Sequence, residues 1–307
     1  MHTAPDSFID YQHEIVRDLA WLIRSPELMT LPEQLSSAWL FEQPDHHQVL
    51  CQLDQEADLL AAQLRQQASY RLGFYFEDLV TIYLKKIIQP IELKTNIQVK
   101  KNKNTVGEYD FLMRLNNGEQ VHLETAVKFY LYSETQGAEG LSAFIGPNRS
   151  DRLDKKWARL MGRQLKLSQT PSGIEQACAL GLLPNRRSLL LKGYLFYPYS
   201  HWQSQPLLSP LHPAHARGWW LKASESHRLH DQQIRYAVLM KPRWLAPARV
   251  KLNDSITYVE LLNTVVSLHT PLLIAELERH DQSGEWCERS RGFIVPDNWD
   301  NAEAGAK

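Results

Sequence analysis

The chain has 307 residues, 43% of them hydrophobic and 22% charged, enough for one large or two smaller domains with a packed core. Its formal net charge of −1 excludes a global electrostatic pull toward nucleic acid, so any such binding needs a local patch. Three dispersed cysteines, Cys51, Cys178 and Cys287, exclude a disulfide framework or a cysteine-rich zinc site and suit a reducing compartment. No signal peptide is visible, and no apolar run approaches the ~20 residues that span a bilayer. A cytoplasmic, soluble protein without a membrane partner is expected.

Residues 1–68 read as a helical extension. Phe8 to Ile23 carries apolar residues at helical spacing, and a second helix is predicted from about His47 to Gln67 with Leu50, Leu53, Leu59, Leu60 and Leu64 as its stripe. A third helix, Tyr70 to Ile88, stops at Pro90. From Ile91 to Leu131 the period changes to two, which predicts three strands, the last two joined by the hairpin signal Asn116-Asn117-Gly118-Glu119. The next helix is predicted to start at an Asn148 N-cap, with Asp151 as its capping-box-like partner, and to run to about Leu167. Leu189 to Tyr197 reads as a short buried strand. Beyond Ser200 the pattern weakens into an aromatic-rich, β-containing part over 201–307. Strands are expected at Gly218–Leu221, Arg235–Leu245 and Gly292–Val295, with a helix over Thr257–His269.

The chemistry concentrates in Gly107-Glu108-Tyr109-Asp110-Phe111-Leu112 and in the following strand, Val121 to Leu131. Asp110 and Glu124 are carboxylates among apolar neighbours, costly to bury unless they pair or hold a cation. They read as ligands for Mg²⁺ or Mn²⁺, since hard ions take carboxylate oxygens. Lys128, on the face of Glu124 and Ala126, is the candidate that stabilises a phosphate. Other readings are a loop-capping Asp110 and an internal Glu124–Lys128 pair, although four residues of strand span about 13 Å. Glu77, on the preceding helix, is a further candidate carboxylate or else a surface residue. Arg149, Arg152, Lys156, Arg159 and Arg163 recur at spacings of three and four, a basic stripe suited to nucleic-acid phosphates or to a solvated helix face. His212-Pro213-Ala214-His215 lacks a third zinc ligand. Trp202, Trp219, Trp220, Trp244 and Trp299 are candidates for base stacking or for aromatic core. Phosphate-cradling glycine loops and a nucleophile elbow are absent.

Gly107 to Leu112 followed by a strand ending in Lys128 resembles the core of the PD-(D/E)XK nuclease superfamily. The runs Gly146-Pro147-Asn148, Asp151 to Lys156 and Gly292 to Trp299 resemble an uncharacterised bacterial family grouped with those nucleases and catalogued as a domain of unknown function. The resemblance implies a restriction-endonuclease-like αβββαβ core over 69–200, flanked by the helical 1–68 and a C-terminal α+β extension over 201–307 packed on it. It implies Asp110 as the first metal-binding aspartate and Lys128 as the motif lysine. Ala126 stands where the pattern has Glu, Asp or Gln, and Glu124 on the same face is the candidate replacement. The function implied is a Mg²⁺-dependent nuclease hydrolysing phosphodiester bonds, its partner a nucleic acid, most readily DNA. Many members of the superfamily are dimers, so a homodimer is one state the resemblance allows. Two other functions stay open: a catalytically inactive nucleic-acid binder, and a protein-interaction module on a nuclease scaffold.

Overall fold

The computed structural model describes residues 11–42, 46–65, 71–134, 139–204, 207–231, 233–280 and 284–300. The expected helix start at Phe8 and the boundary at residues 68 and 69 lie outside them. Helices α1 (Glu14–Arg24), α2 (His46–Gln55) and α3 (Ala57–Arg65) form the N-terminal part. The single helix expected from His47 is thus two, broken at Glu56. Helix α4 (Leu72–Tyr83) ends in a π-helical turn, Leu84–Ile88, ahead of Pro90. The three strands follow as predicted: β1 (Glu92–Lys101), β2 (Asn104–Arg114) and β3 (Gln120–Tyr132).

After a two-residue β4 (Phe144–Ile145), helix α5 runs only from Leu153 to Arg159, continuing as a π-helical turn to Gln164. Asn148 is no N-cap. Arg149 adopts a left-handed φ of 61° and the chain is still non-helical at Arg152, so Arg149 and Arg152 precede the helix whose stripe they were expected to join. Helix α6 (Pro171–Ala179), which the periodicity did not predict, leads into β5 (Arg186–Pro198). The C-terminal part adds β6 (Ala216–Lys222), β7 (Arg235–Val238), β8 (Arg249–Val250), helix α7 (Tyr258–Val265), β9 (Leu272–Arg279) and β10 (Trp286–Val295).

All ten strands belong to one mixed sheet, ordered β1-β2-β3-β5-β6-β10-β9-β7, with β4 on β3 and β8 on β10. The C-terminal part therefore extends the core sheet edge to edge: β5 pairs parallel with β6, and β6 with β10. Period-two alternation along β3 decides what covers each face. Leu123, Val127, Phe129 and Leu131 join the core of α1, α2 and α4, whereas Ala126 and Tyr130 pack with Leu153 and Leu160.

β5 meets β6 only from Tyr194 onward, which leaves the first half of its edge with backbone groups to satisfy. A segment after α1 does this. Leu28 N–H donates to the Leu191 carbonyl at 2.9 Å, the Glu27 carboxylate accepts Leu191 N–H at 2.9 Å, and Ser36 bridges Leu189. The fully buried Arg291 donates to the carbonyls of Trp244, Leu245 and Ala246 and to both oxygens of Glu288, fixing the loop that carries Lys241 and Trp244.

Gly193 lies opposite Lys128 at φ 141°, and an added Cβ would come within 1.7 Å of the Lys128 carbonyl oxygen. Gly193→Ala is expected to destabilise by about 3 kcal/mol or more, from strain and overpacking together. Gly73→Ala, whose Cβ meets nothing within 4 Å, should be neutral or stabilise by up to ~1 kcal/mol. Urea unfolding midpoints of the two variants check the contrast.

Candidate metal and phosphate site

Pairing of β2 with β3 runs from Arg114–Gln120 to Phe111–Leu123 and stops there. Asp110 and Glu124 are the next residues on each strand. At this fork side chains replace the backbone ladder: Thr125 N–H donates to Asp110 Oδ2 at 2.8 Å, and the backbone N–H of Asp110 favours the Glu124 carboxylate. Asp110 thus does cap backbone, as one reading of the sequence held, while leaving Oδ1 for another partner.

Glu124 is fully buried, with Oε1 2.7 Å from His122 Nε2 and Oε2 accepting from Gln164 Nε2 at 2.7 Å. His122 also meets Ser168 Oγ through Nδ1 at 3.2 Å, and its ring stands edge-on to Tyr109. Burial lowers His122 to about 3. The imidazole is therefore neutral at pH 7 and serves as a hydrogen-bonding brace for Glu124. Burial pushes Asp110 up to about 7, with the Glu124 charge adding to it. Glu124 also rises to about 7 through burial, against the Gln164 hydrogen bond. Among the described residues, neither carboxylate has a lysine or arginine nitrogen within 4.0 Å.

Two cavities flank the fork. One, about 370 Å³, is lined by Arg71, Gly73, Glu77, Ala126, Lys128 and Lys156 among others. The other, about 390 Å³, is lined by Glu108, Asp110, Arg159, Arg163 and Gln164 with Val106, Gly107 and Leu167. Glu77 faces the first cavity and accepts from Asn96 Nδ2 at 3.2 Å. It rises to about 7 through burial and then through the charge of Asp110, so it belongs to the site electrostatically.

Lys128 does not pair with Glu124. Its ammonium donates to Asp151 Oδ2 at 2.7 Å, an oxygen that also accepts from Tyr130 OH at 3.0 Å. Burial works to raise Asp151, but these hydrogen bonds outweigh it and hold the carboxylate below its ordinary range. Asp151 thus anchors the lysine instead of capping a helix.

The basic stripe divides. Lys156 turns inward, buried, with Nζ donating to Gln164 Oε1 at 3.2 Å. Burial, then the neighbouring charge of Lys128, lowers it to about 8. Arg152 pairs with Asp154, and Arg149 donates to the Trp299 carbonyl. Arg159 and Arg163 remain exposed at the mouth of the second cavity. Sequence reasoning did not single out His122, Gln164 or Asp151 for these parts. His122 offered the one signal, lying two residues before Glu124 and hence on its face.

Trp219, Trp220 and Trp299 are buried, as aromatic core, and Trp244 walls the first cavity. His215 is held by Tyr197 OH at 2.8 Å and by the His212 carbonyl. Among the described residues no three His, Cys, Asp or Glu side chains gather at metal-ligand spacing. The Asp110–Glu124 pair could still hold a hard divalent ion, because Mg²⁺ commonly takes one or two carboxylates and completes its shell with water and substrate phosphate.

Fold and fork define a mixed α/β protein with a buried two-carboxylate site walled by lysines and arginines. A family model described as a domain of unknown function, DUF1853, matches residues 17–295, and the chain belongs to that family. No curated protein and no solved structure matches it. Among the described residues no helix is long and apolar enough to cross a membrane.

The raised carboxylates carry a sign for stability. The folded state keeps protons on Glu77, Asp110 and Glu124 up to about pH 7, whereas the unfolded chain releases them near the ordinary 3.8 and 4.5. These groups therefore reduce stability as pH rises from about 4 to 7. Asp110→Asn should flatten that slope, as read from unfolding midpoints between pH 5 and 8 without divalent cations.

Proposed function

We propose that this chain is a divalent-metal-dependent phosphodiesterase acting on DNA, built on a restriction-endonuclease-like core. The observation that carries the proposal is the fork of β2 and β3. Two braced carboxylates with raised proton affinity share it without a lysine or arginine partner, and cationic side chains wall the cavities on both sides. The order α4-β1-β2-β3-α5-β5, with α6 inserted before β5, supports such a core.

Asp110 and Glu124 are the residues that would hold Mg²⁺ or Mn²⁺. When bound, the ion supplies Lewis acidity at a phosphoryl oxygen and makes water a stronger nucleophile near neutral pH. His122 and Gln164 keep the Glu124 carboxylate in one orientation, as partners of metal-binding groups do. Lys128 exchanges Asp151 for a phosphate oxygen and neutralises its charge, with Lys156 beside it in the same cavity. Glu77, with a proton affinity near neutrality, accepts a proton from water in that cavity. Arg159 and Arg163 contact the nucleic-acid backbone. Arg149 and Arg152, which line neither cavity, contribute less.

A second reading, a catalytically silent nucleic-acid binder, is favoured by the Lys128–Asp151 pair, which draws the lysine away from Glu124. Supercoiled plasmid, linear duplex, single-stranded and branched DNA, and RNA, each incubated with Mg²⁺, Mn²⁺ or EDTA, separate the two. The proposal expects metal-dependent cleavage of DNA, reduced at least 100-fold in Asp110→Ala and Lys128→Ala. Binding that weakens with salt but never leads to cleavage would select the silent binder.

The ion should also be visible without turnover. At an ion concentration ten times its dissociation constant, ligand linkage adds about 1.4 kcal/mol, which for a chain of this length shifts Tm by a few degrees. Thermal unfolding at pH 7.5 with and without Mg²⁺ should show that shift in the wild type and not in Asp110→Asn or Glu124→Gln.

A further inference from the structure

β1 and β2 form a two-stranded ribbon that outruns the packed structure. Val99 is the last buried residue of β1, set among Tyr109, Leu112, Leu167 and Ala177. Every residue from Lys100 to Thr105 is exposed. The tip reads Lys100-Lys101-Asn102-Lys103-Asn104-Thr105, with three lysines, no acid and no apolar side chain. Asn102 and Lys103 take left-handed φ values of 50° and 69°, the pairing of positive φ angles that closes a tight two-residue hairpin. In a chain of net charge −1, this is a concentrated cationic surface. Among the described residues none of the three lysines has an ion-pair or hydrogen-bond partner for its side chain.

The ribbon is tied to the candidate site at its base. Val106, Gly107 and Glu108 of β2 line the 390 Å³ cavity with Asp110. Arg163 Nη2 donates to the Val106 carbonyl at 3.1 Å, holding this exposed arginine against the ribbon's root. Cationic side chains therefore stand at the ribbon tip, at Arg163 and Arg159 beside the fork, and at Lys156 and Lys128, with Glu108 among them at the ribbon's root.

We infer that the β1–β2 ribbon is a docking arm for double-stranded DNA, entering the major groove about half a turn from the scissile phosphate. This rests on the phosphodiesterase reading of the fork. A major groove about 12 Å wide and 8.5 Å deep admits a two-stranded ribbon, and two or three residues per strand at about 3.4 Å each match that depth. The tip's lysines suit phosphates, and Asn102 and Asn104 can meet base edges. A single strand is a poorer fit, because non-specific single-strand sites stack bases on aromatic rings and the tip has none. Thr105 lies five strand positions from Asp110, about 17 Å. The arm thus meets the duplex roughly half a turn from the reacting phosphate.

The test is equilibrium binding of the full chain, in EDTA to prevent cleavage, to a 20-base-pair duplex and to a 20-nucleotide single strand over a salt series. Wild type is compared with the triple variant Lys100→Gln/Lys101→Gln/Lys103→Gln, and metal-dependent cleavage is assayed in parallel. Expected is a loss of duplex affinity of at least tenfold, and a salt slope shallower by about 2.7 for three phosphate contacts. Single-strand binding should change less than twofold. Unchanged duplex affinity and slope in the variant would overturn the arm while leaving the fork reading intact if the wild type cleaves. Equal losses on duplex and single strand would also overturn it, reducing the ribbon to a general cationic patch. A wild type that neither binds nor cleaves any of these would overturn both.

Discussion

β3 pairs parallel with β5 over eleven consecutive positions, from Val121–Arg186 to Leu131–Phe196. Its opposite edge pairs with β2 for only four. A strand held rigidly on one side and released on the other can present side chains into the gap without losing register. Everything proposed for this molecule hangs on that asymmetry. It fixes the alternation that sends Leu123, Val127 and Phe129 to the α1 and α4 core and leaves His122, Glu124 and Lys128 for the α5 side. Gly193 contributes at the centre, where only a residue without Cβ lets the β5 backbone lie against the Lys128 carbonyl.

The electrostatics of the fork follow from geometry of the same kind. Buried carboxylates are ordinarily neutralised by direct ion pairs, and elsewhere this chain does so, as in Arg291–Glu288. At the fork the nearby ammonium groups are occupied differently: Lys128 by Asp151, Lys156 by Gln164. Glu124 is instead surrounded by uncharged donors, the imidazole of His122 and the amide of Gln164. Uncharged donors orient a carboxylate without cancelling its charge. The result is a pair of acids fixed in place and still attractive to a cation.

Much of the central fold was legible in the sequence because its signals are local. The helix ahead of Pro90, the three strands over 91–131 and the strand ending at Pro198 each carry their period and their stop. That Asp110 and Glu124 stand on neighbouring strands was legible too, from acids embedded in apolar strand. Three misreadings had non-local causes. Asn148 and Asp151 look like a helix cap, but Asp151 is recruited by Lys128 and Tyr130 from another strand, and the helix begins later. The basic stripe has helical spacing, yet Arg149 is drawn to Trp299, far away in sequence, while Lys156 is taken into the interior. Arg235 to Leu245 looked like one strand, but pairing with β9 ends at Val238 and the chain then turns to place Trp244 and Lys241 on the cavity wall. Glu56, which breaks the α2–α3 run, carries no proline or glycine to announce the break.

The segment that completes the β5 edge has a consequence for how the chain is made. Glu27 reaches Leu191 across 164 residues of sequence, and Trp21 reaches Tyr194 across 173. At about 5–20 residues per second, the ribosome needs roughly 8–30 s to deliver that partner strand after Glu27 has been added. Through that interval the segment after α1 has no β5 edge to dock on, and Trp21 has no Tyr194 to meet. β1, β2 and β3 can form their antiparallel ladder first, but its continuation into the rest of the sheet waits for β5, which pairs with β3 in parallel and not as a hairpin. Vectorial synthesis thus sets part of the order of assembly: the segment after α1, made early, finds its place only once β5 has been delivered.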